Sequence, residues 1–475
     1  MVLNNYLKFF KIHIVKILFF TLLLNILVKI ITSGFSEYDF LVLNFEKIFS
    51  LILTCFFYWS LSSVLNKSLK INSRAISLIF FFSSYFLIDN VIIIFFKYIN
   101  NTFTFFLTTI AWLCFFLFKV RETKIILNFT VSLFFMKLYN FFAYKAISKN
   151  VNYSDLNGDF MFQWYPTAKK IYELGYYHAI TNNIIENQGL LSSYFQALLN
   201  RINFTTKDFE FIQINSFMLC FFVVLIFIDL KINIHNKFYI VGIFLLFVLN
   251  NEWIFYLFFN SLMIEGVVMF FMSACLLNLK DFSEGKKIIN IYYFICFGLL
   301  VLTKQFVSII SVITIAYLII SNVKKNKFIL LSLIPLLIDY TIKKIYNLNI
   351  SFVTYDDNLN YLQTFYDVVL FQNLNIQNIY SILNELIIDR PLVFVLVLFL
   401  ILNFLSLLMH KNFSIKVNYI FYICLLNFLF VIILYTTYWK NVETASSYRY
   451  LISFFNLYLI SIVLNSEDNN YYALK

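Results

Sequence analysis

The chain has 475 residues, of which 61% are hydrophobic, 21% aromatic and 13% charged, with 8 Gly and 3 Pro. Soluble domains carry about a quarter charged residues and near 5% Pro, which excludes a soluble globular enzyme, a disordered chain and a disulfide scaffold. The net charge of +11 comes mostly from Lys between apolar runs, the distribution of a membrane protein and not of a nucleic-acid binder.

A membrane-spanning helix needs roughly 20 apolar residues. About 14 runs come near that length, at 10–31, 39–65, 75–97, 103–118, 125–147, 211–229, 238–259, 260–279, 288–303, 304–322, 328–345, 391–409, 417–436 and 447–464. The first follows Lys8 and Lys11 and continues past residue 28 with no small-residue cleavage site, so it reads as a membrane helix, not a cleavable signal. Cations fall in alternate connections: Lys67, Lys70 and Arg74; Lys119, Arg121 and Lys124; Lys231 and Lys237; Lys280, Lys286 and Lys287; Lys324, Lys325 and Lys327; Lys411 and Lys416. Threading every run as a crossing puts all of them on one side. The positive-inside rule makes that side, and both termini, cytoplasmic.

The expected fold is therefore all-α, a polytopic inner-membrane bundle of about 14 helices. Its segments are five helices over 1–148, an outer loop over 149–210, six helices over 211–345, a second outer loop over 346–390, and three helices over 391–475. Both loops carry amphipathic helices. Leu190, Leu191, Tyr194, Phe195, Leu198, Leu199 and Ile202 form an apolar stripe, with Ser192, Ser193, Gln196, Asn200 and Arg201 opposite. This is the pattern of a helix lying in the membrane interface or packing on the bundle. A shorter helix precedes it, with Pro166 in its first turn, Lys169 and Glu173 at i,i+4, and Gly175 at its end. Ile376, Ile379, Tyr380, Leu383 and Ile387 repeat the amphipathic spacing in the second loop.

The chemistry-bearing residues crowd the expected outer face. Asp155 and Asp159 flank Asn157-Gly158, a turn-forming pair, so the two carboxylates can approach each other. A carboxylate there suits a general base that takes a proton from a hydroxyl; the alternative is that both cap turns in water. Arg201, Arg390 and Arg449, with Lys169, Lys170, Lys304 and Lys440 nearby, suit an anionic phosphate at headgroup level. Headgroup anchoring is the plainer account of Lys440 and Lys343. Lys304 and Gln305 occupy a tight turn; Glu265, Glu252 and Trp253 sit at outer helix ends. Asp89 and Asn90 lie deeper, and a hydrogen-bonded partner such as Lys137 accounts for Asp89. The scattered Trp and Tyr read as interface anchors. All six Cys lie in apolar runs without a CxxC, and the four His are far apart, which disfavours a disulfide or zinc site. No Walker A, His-Glu-x-x-His or Gly-x-Ser-x-Gly motif occurs.

The string Asp159-x-x-x-x-Trp164-x-Pro166-x-Ala168-Lys169, the turn Asn187-Gln188-Gly189, Thr303-Lys304-Gln305, and Glu443-Thr-Ala-Ser446-Ser447-Tyr448-Arg449-Tyr450 stand in this order over about 150–455. Together they resemble the GT-C superfamily of multi-pass glycosyltransferases that use polyprenyl-phosphate-linked sugars, in a poorly characterised bacterial branch. Phe160 stands where that branch has a Glu, so a divalent metal lacks the usual second carboxylate. No cofactor is implied with certainty. Five helices precede the acidic loop, whereas better-known members place it after the first. The resemblance implies sugar transfer to a cell-surface glycan or lipid on the outer side. Asp159 is the implied base and Asp155 its assistant. Lys169, Lys304, Gln305, Arg390, Glu443, Arg449, Glu265 and Trp164 are the implied substrate-binding set. The implied partners are the bilayer, the lipid-linked sugar and the acceptor, with no nucleic acid. The rival readings are an O-antigen-type polymerase or ligase, and a flippase or exporter of lipid-linked sugars.

Overall fold

A computed structural model describes residues 2–33, 45–71, 73–96, 101–148, 165–181, 190–203, 225–230, 233–250, 271–275, 287–303, 327–346 and 376–384, with the single positions 401, 425, 426, 428, 429, 457, 459 and 460. Among the described residues there are helices and turns and no strand. The helices are α1 (Val2–Ser33), α2 (Phe45–Leu69), α3 (Arg74–Phe96), α4 (Asn101–Lys119), α5 (Thr123–Ser148), α6 (Tyr165–Leu174), α7 (Tyr176–Thr181), α8 (Leu190–Asn203), α9 (Ile234–Leu249), α10 (Lys287–Leu300), α11 (Ile334–Ile345) and α12 (Ile376–Asn384). A π-helical turn covers Leu225–Asp229 and a 3-10 helix Lys327–Leu333. The five expected N-terminal helices are all present, as are the short helix before Gly175, α8 and α12. Among the described residues two helices are long and apolar enough to cross a membrane, Val15–Thr32 and Arg74–Phe96, each with a mean hydropathy of 2.1.

The chain divides into two units, one of residues 29–231 and 251–353, the other of residues 1–28, 232–250 and 354–475. In the first, α3 is central: α2, α4, α8, α10, α11 and the π turn all pack against it. Its first turn is capped twice. Ser73 Oγ accepts from Ile76 N at 3.1 Å, the usual N-cap bond. Asp229, from the π turn, takes the Ser73 hydroxyl at 2.5 Å and the amides of Arg74 and Ala75 at 2.9 and 3.0 Å. A carboxylate at a helix N-terminus satisfies orphan amides and meets the positive end of the dipole. Arg74 lies over the Trp59 ring at 5.5 Å and donates to Ser63 Oγ at 3.0 Å. Lys67 pairs with Glu122 at 2.7 Å. The connections 66–74 and 119–124 thus meet.

Aromatic rings fill the layer beside α3. Phe81 packs on Trp112 at 5.1 Å, and Trp112 Nε1 donates to Ser84 Oγ at 2.9 Å. Trp59 and Trp112, both in mid-helix, therefore serve inter-helix contacts. Phe57 meets Phe129 at 5.8 Å where α2 runs along α5.

Two further expectations are corrected. The run 328–345 is not one α-helix. It opens as a 3-10 helix, and α11 begins with Pro335 in its first turn, where the missing N–H costs nothing. The threading also makes α10 parallel to α3. Instead, Tyr292 packs on Phe80 at 4.7 Å, while Cys296, four residues on, approaches the carbonyl of Ile76. α10 therefore descends toward the first turn of α3. Hydropathy counts each apolar run as one crossing and cannot see which neighbour a helix chooses.

In the second unit α1 and α9 associate. Asn250 Nδ2 donates to the carbonyls of Leu22 and Leu246 at 3.2 and 2.9 Å, and Phe19 meets Tyr239 edge-on at 5.4 Å. The α12 residues Ile376 and Tyr380 are 77% and 71% exposed.

Gly298 of α10 permits a close approach to the 3-10 helix and α11. A Cβ there would lie 2.1 Å from the Ser332 carbonyl oxygen and 2.9 Å from Pro335 Cδ. A Cβ at Gly242 would meet only the movable Phe19 ring, at 2.8 Å. Gly298→Ala is expected to destabilise the protein by about 1–3 kcal/mol through overpacking, and Gly242→Ala by less. Thermal unfolding in detergent checks the order.

Candidate functional site: a buried charged cluster on α3

Asp89 stands about 22 Å along α3 from Arg74, at 1.5 Å per residue. It is buried in an otherwise apolar helix. An unpartnered carboxylate there is strongly unfavourable, and α8 supplies the partners. Tyr194 donates its hydroxyl to Asp89 Oδ2 at 2.5 Å. Thr104 of α4 gives a second hydrogen bond, and the Arg201 guanidinium lies near enough to act on the carboxylate. The neighbouring Asn90 is also satisfied. Its Nδ2 donates to the Phe86 carbonyl at 2.6 Å, and its Oδ1 accepts from Tyr176 of α7 at 3.0 Å. Tyr176 and Tyr194 meet edge-on at 5.2 Å, and both rings contact Phe86. Burial, reinforced by the Asp89 carboxylate, holds the Tyr194 hydroxyl well above the ordinary tyrosine range. Burial, then Asp339, does the same for Tyr176. Both phenols are fixed as neutral donors.

Arg201 binds three elements into one. Its Nη2 donates to the carbonyls of Ile171 and Tyr172 at 3.2 and 3.0 Å. These belong to the last turn of α6; the Ile171 carbonyl also accepts from Gly175 N at 3.1 Å. The guanidinium also lies over the Tyr172 ring at 5.8 Å. Gly175, at φ 92°, turns the chain from α6 into α7, a conformation that other residues adopt at a cost. Ser192 Oγ donates to the carbonyl of Thr303 at 2.7 Å, tying the other end of α8 to the turn after α10.

The interfacial expectation for α8 is therefore corrected. Residues 191–200 are buried on both faces. The polar face supplies Ser192 and Arg201 to partners inside the protein, as packing on the bundle requires. The pairing of Asp89 with Lys137 is corrected too: Asp89 is held by Tyr194, Thr104 and Arg201. Lys343, read as a headgroup anchor, pairs with Asp339 at 2.7 Å, and the two side chains are only 20% and 12% exposed. Asp339 is a site residue that sequence reasoning missed. Its signal was an Asp and a Lys at i,i+4 within an apolar run.

Of the sequence-derived site residues, Lys169 is described. It lies on α6, half-exposed, 3.8 Å from Glu173, an exposed pair worth little by itself. Asp155, Asp159, Trp164, Lys304, Gln305, Arg390, Glu443, Arg449 and Glu265 lie outside the described residues. Among the described residues no three His, Cys, Asp or Glu side chains gather as a metal site. No family model, curated protein or solved structure matches the chain.

The Asp89 cluster can hold a carboxylate, two neutral phenols and a guanidinium in fixed geometry, which is work of positioning. Tyr194→Phe removes a donor from a buried carboxylate and is expected to cost about 1–3 kcal/mol. Tyr176→Phe removes a neutral bond and is expected to cost about 0.5–1.5 kcal/mol. The ranking is checked by thermal unfolding of the two variants in the same detergent.

Proposed function

We propose that the chain is a multi-pass inner-membrane glycosyltransferase that moves a sugar from a polyprenyl phosphate to a glycan or lipid acceptor at the outer face. The observation that carries this is the docking of α6–α8 on α3. The acidic stretch 149–164 leads directly into α6, and α6 is clamped by Arg201 and by α8. A carboxylate-bearing loop that enters a fixed helical platform suits general-base catalysis, which needs the base held near its hydroxyl.

Embedding in a bilayer is supported by what the helices leave uncovered. Along α4 and α5, Phe103, Phe106, Ile110, Leu117, Leu127 and Phe134 are exposed. An apolar face of that extent is untenable in water and ordinary in lipid. Exposed Ile376 and Tyr380 of α12 fit the membrane interface in the same way. A many-crossing bundle with cytoplasmic termini belongs to this proposal.

In the proposed reaction Asp159, assisted by Asp155, takes the proton of the acceptor hydroxyl. The hydroxyl oxygen bonds to the anomeric carbon as the bond from that carbon to the phosphate oxygen breaks. Polyprenyl phosphate leaves with the bonding pair, and a single displacement inverts the anomeric centre. Arg449, Lys304 and, with a lesser part, Arg390 hold the phosphate. Lys169, Gln305, Glu443, Glu265 and Trp164 complete the binding set.

Deletion of the gene is expected to remove one sugar per surface-glycan repeat in mass spectra, with rescue by wild type and none by Asp159→Asn. Shortened chains of intact repeats would point to a polymerase or ligase, and full rescue by Asp159→Asn would remove the assigned base. Orientation has a separate check. A cysteine replacing Lys70 is expected to react with a membrane-impermeant maleimide only after permeabilisation, and one replacing Glu173 in intact cells.

A further inference from the structure

Asp89 and Arg201 stand on different elements, α3 and α8, and their opposite charges act on one another. Among the described residues no ion pair joins them directly. Both instead line a partly open pocket of about 10 Å³, together with Ile171, Tyr194, Ala197 and Leu198. That volume is about the space one water molecule requires, and a buried water needs two to four polar partners. The walls offer them. Arg201 has five N–H donors, and the recorded bonds to Ile171 and Tyr172 come from one nitrogen, Nη2. Asp89 Oδ2 takes Tyr194, and a carboxylate has about four acceptor sites.

We propose that one water bridges the Asp89 carboxylate to the Arg201 guanidinium, and that this bridged pair is the latch docking α6–α8 on α3. Arg201 is the central member because its planar fork serves the α6 carbonyls and the bridge at once. A lysine, with a compact charge, cannot span both. Asp89 and Arg201 are then positioning residues. The latch stands on the pocket and its bonds alone. That it positions the stretch carrying Asp155 and Asp159 rests on the transferase reading.

The test uses the full-length protein in native membranes. Ala168 of α6 is fully buried, so a cysteine there is shielded from a membrane-impermeant maleimide while α6 is docked. Rates are read against the parent chain, whose native cysteines set the background. In the Ala168→Cys background, Asp89→Asn and Arg201→Gln are each expected to speed labelling about tenfold or more, the equivalent of one charge-assisted bond. The double variant is expected to label no faster than the faster single one, because coupled partners are not additive. Arg201→Lys is expected to label like Arg201→Gln. Asp89→Asn is nearly isosteric and still accepts from Tyr194, so it keeps the fold. Hydrogen exchange of the α6 amides in Asp89→Asn, without the added cysteine, gives a second readout. Wild-type labelling and exchange in Asp89→Asn, or fully additive rates in the double variant, would overturn the latch. Asp159→Asn is expected to label as wild type. Failure of the glycan experiment alone therefore leaves the latch standing, and failure of the labelling experiment alone leaves the transferase reading standing.

Discussion

A carboxylate in the middle of an apolar helix must be met by hydrogen bonds and opposite charge, or the fold does not hold. Asp89 imposes that constraint on α3, and much of the surrounding arrangement follows from it. The hydroxyl of Tyr194 requires α8 to run beside the second half of α3. The guanidinium of Arg201 then takes the last carbonyls of α6. Asn90, one residue on, requires the phenol of Tyr176, which brings in α7. One acidic side chain and its neighbour thus decide where three short helices pack.

The opposite end of α3 obeys the same logic with a different device. Free amides of the first turn are as unfavourable when buried as a carboxylate is, and Asp229 answers two of them together with Ser73. Between these ends, stability comes from aromatic packing and from one close approach, where the lack of a side chain at Gly298 lets α10 meet the Ser332 carbonyl. Polar groups are gathered inside this unit while large apolar side chains of α4 and α5 face outward. That inversion suits a lipid surrounding, in which the outer surface has no water to meet.

The candidate site was half legible. Asp89 and Arg201 stood out as a deep acid and a candidate outer cation, because charge within or beside apolar runs is conspicuous. Their mutual relation was not legible, since residues 112 apart along the chain carry no local signal of proximity. Tyr194 was read as one more apolar position in the stripe of α8, because a tyrosine's ring and its hydroxyl give hydropathy the same value whether or not the hydroxyl is used. Asp339 and Lys343 were visible as an i,i+4 pair and passed over, since Lys at the end of an apolar run has a plainer use as an anchor.

By itself the sequence determined the helical class, the positions of α2 to α5, the helix stop at Gly175 and the amphipathic spacing of α8 and α12, all of which follow from local periodicity and local backbone preference. It also determined which charges had to find partners. The tertiary structure decided which partners they found: Tyr194, Thr104 and Arg201 for Asp89 in place of Lys137, and Asp229 for the start of α3. It decided that the polar face of α8 turns inward, and that α10 runs against α3. The physical reason is the same in each case. Periodicity records the face a helix must cover, while the identity of the cover depends on shape, charge and hydrogen-bond geometry between segments far apart in the chain.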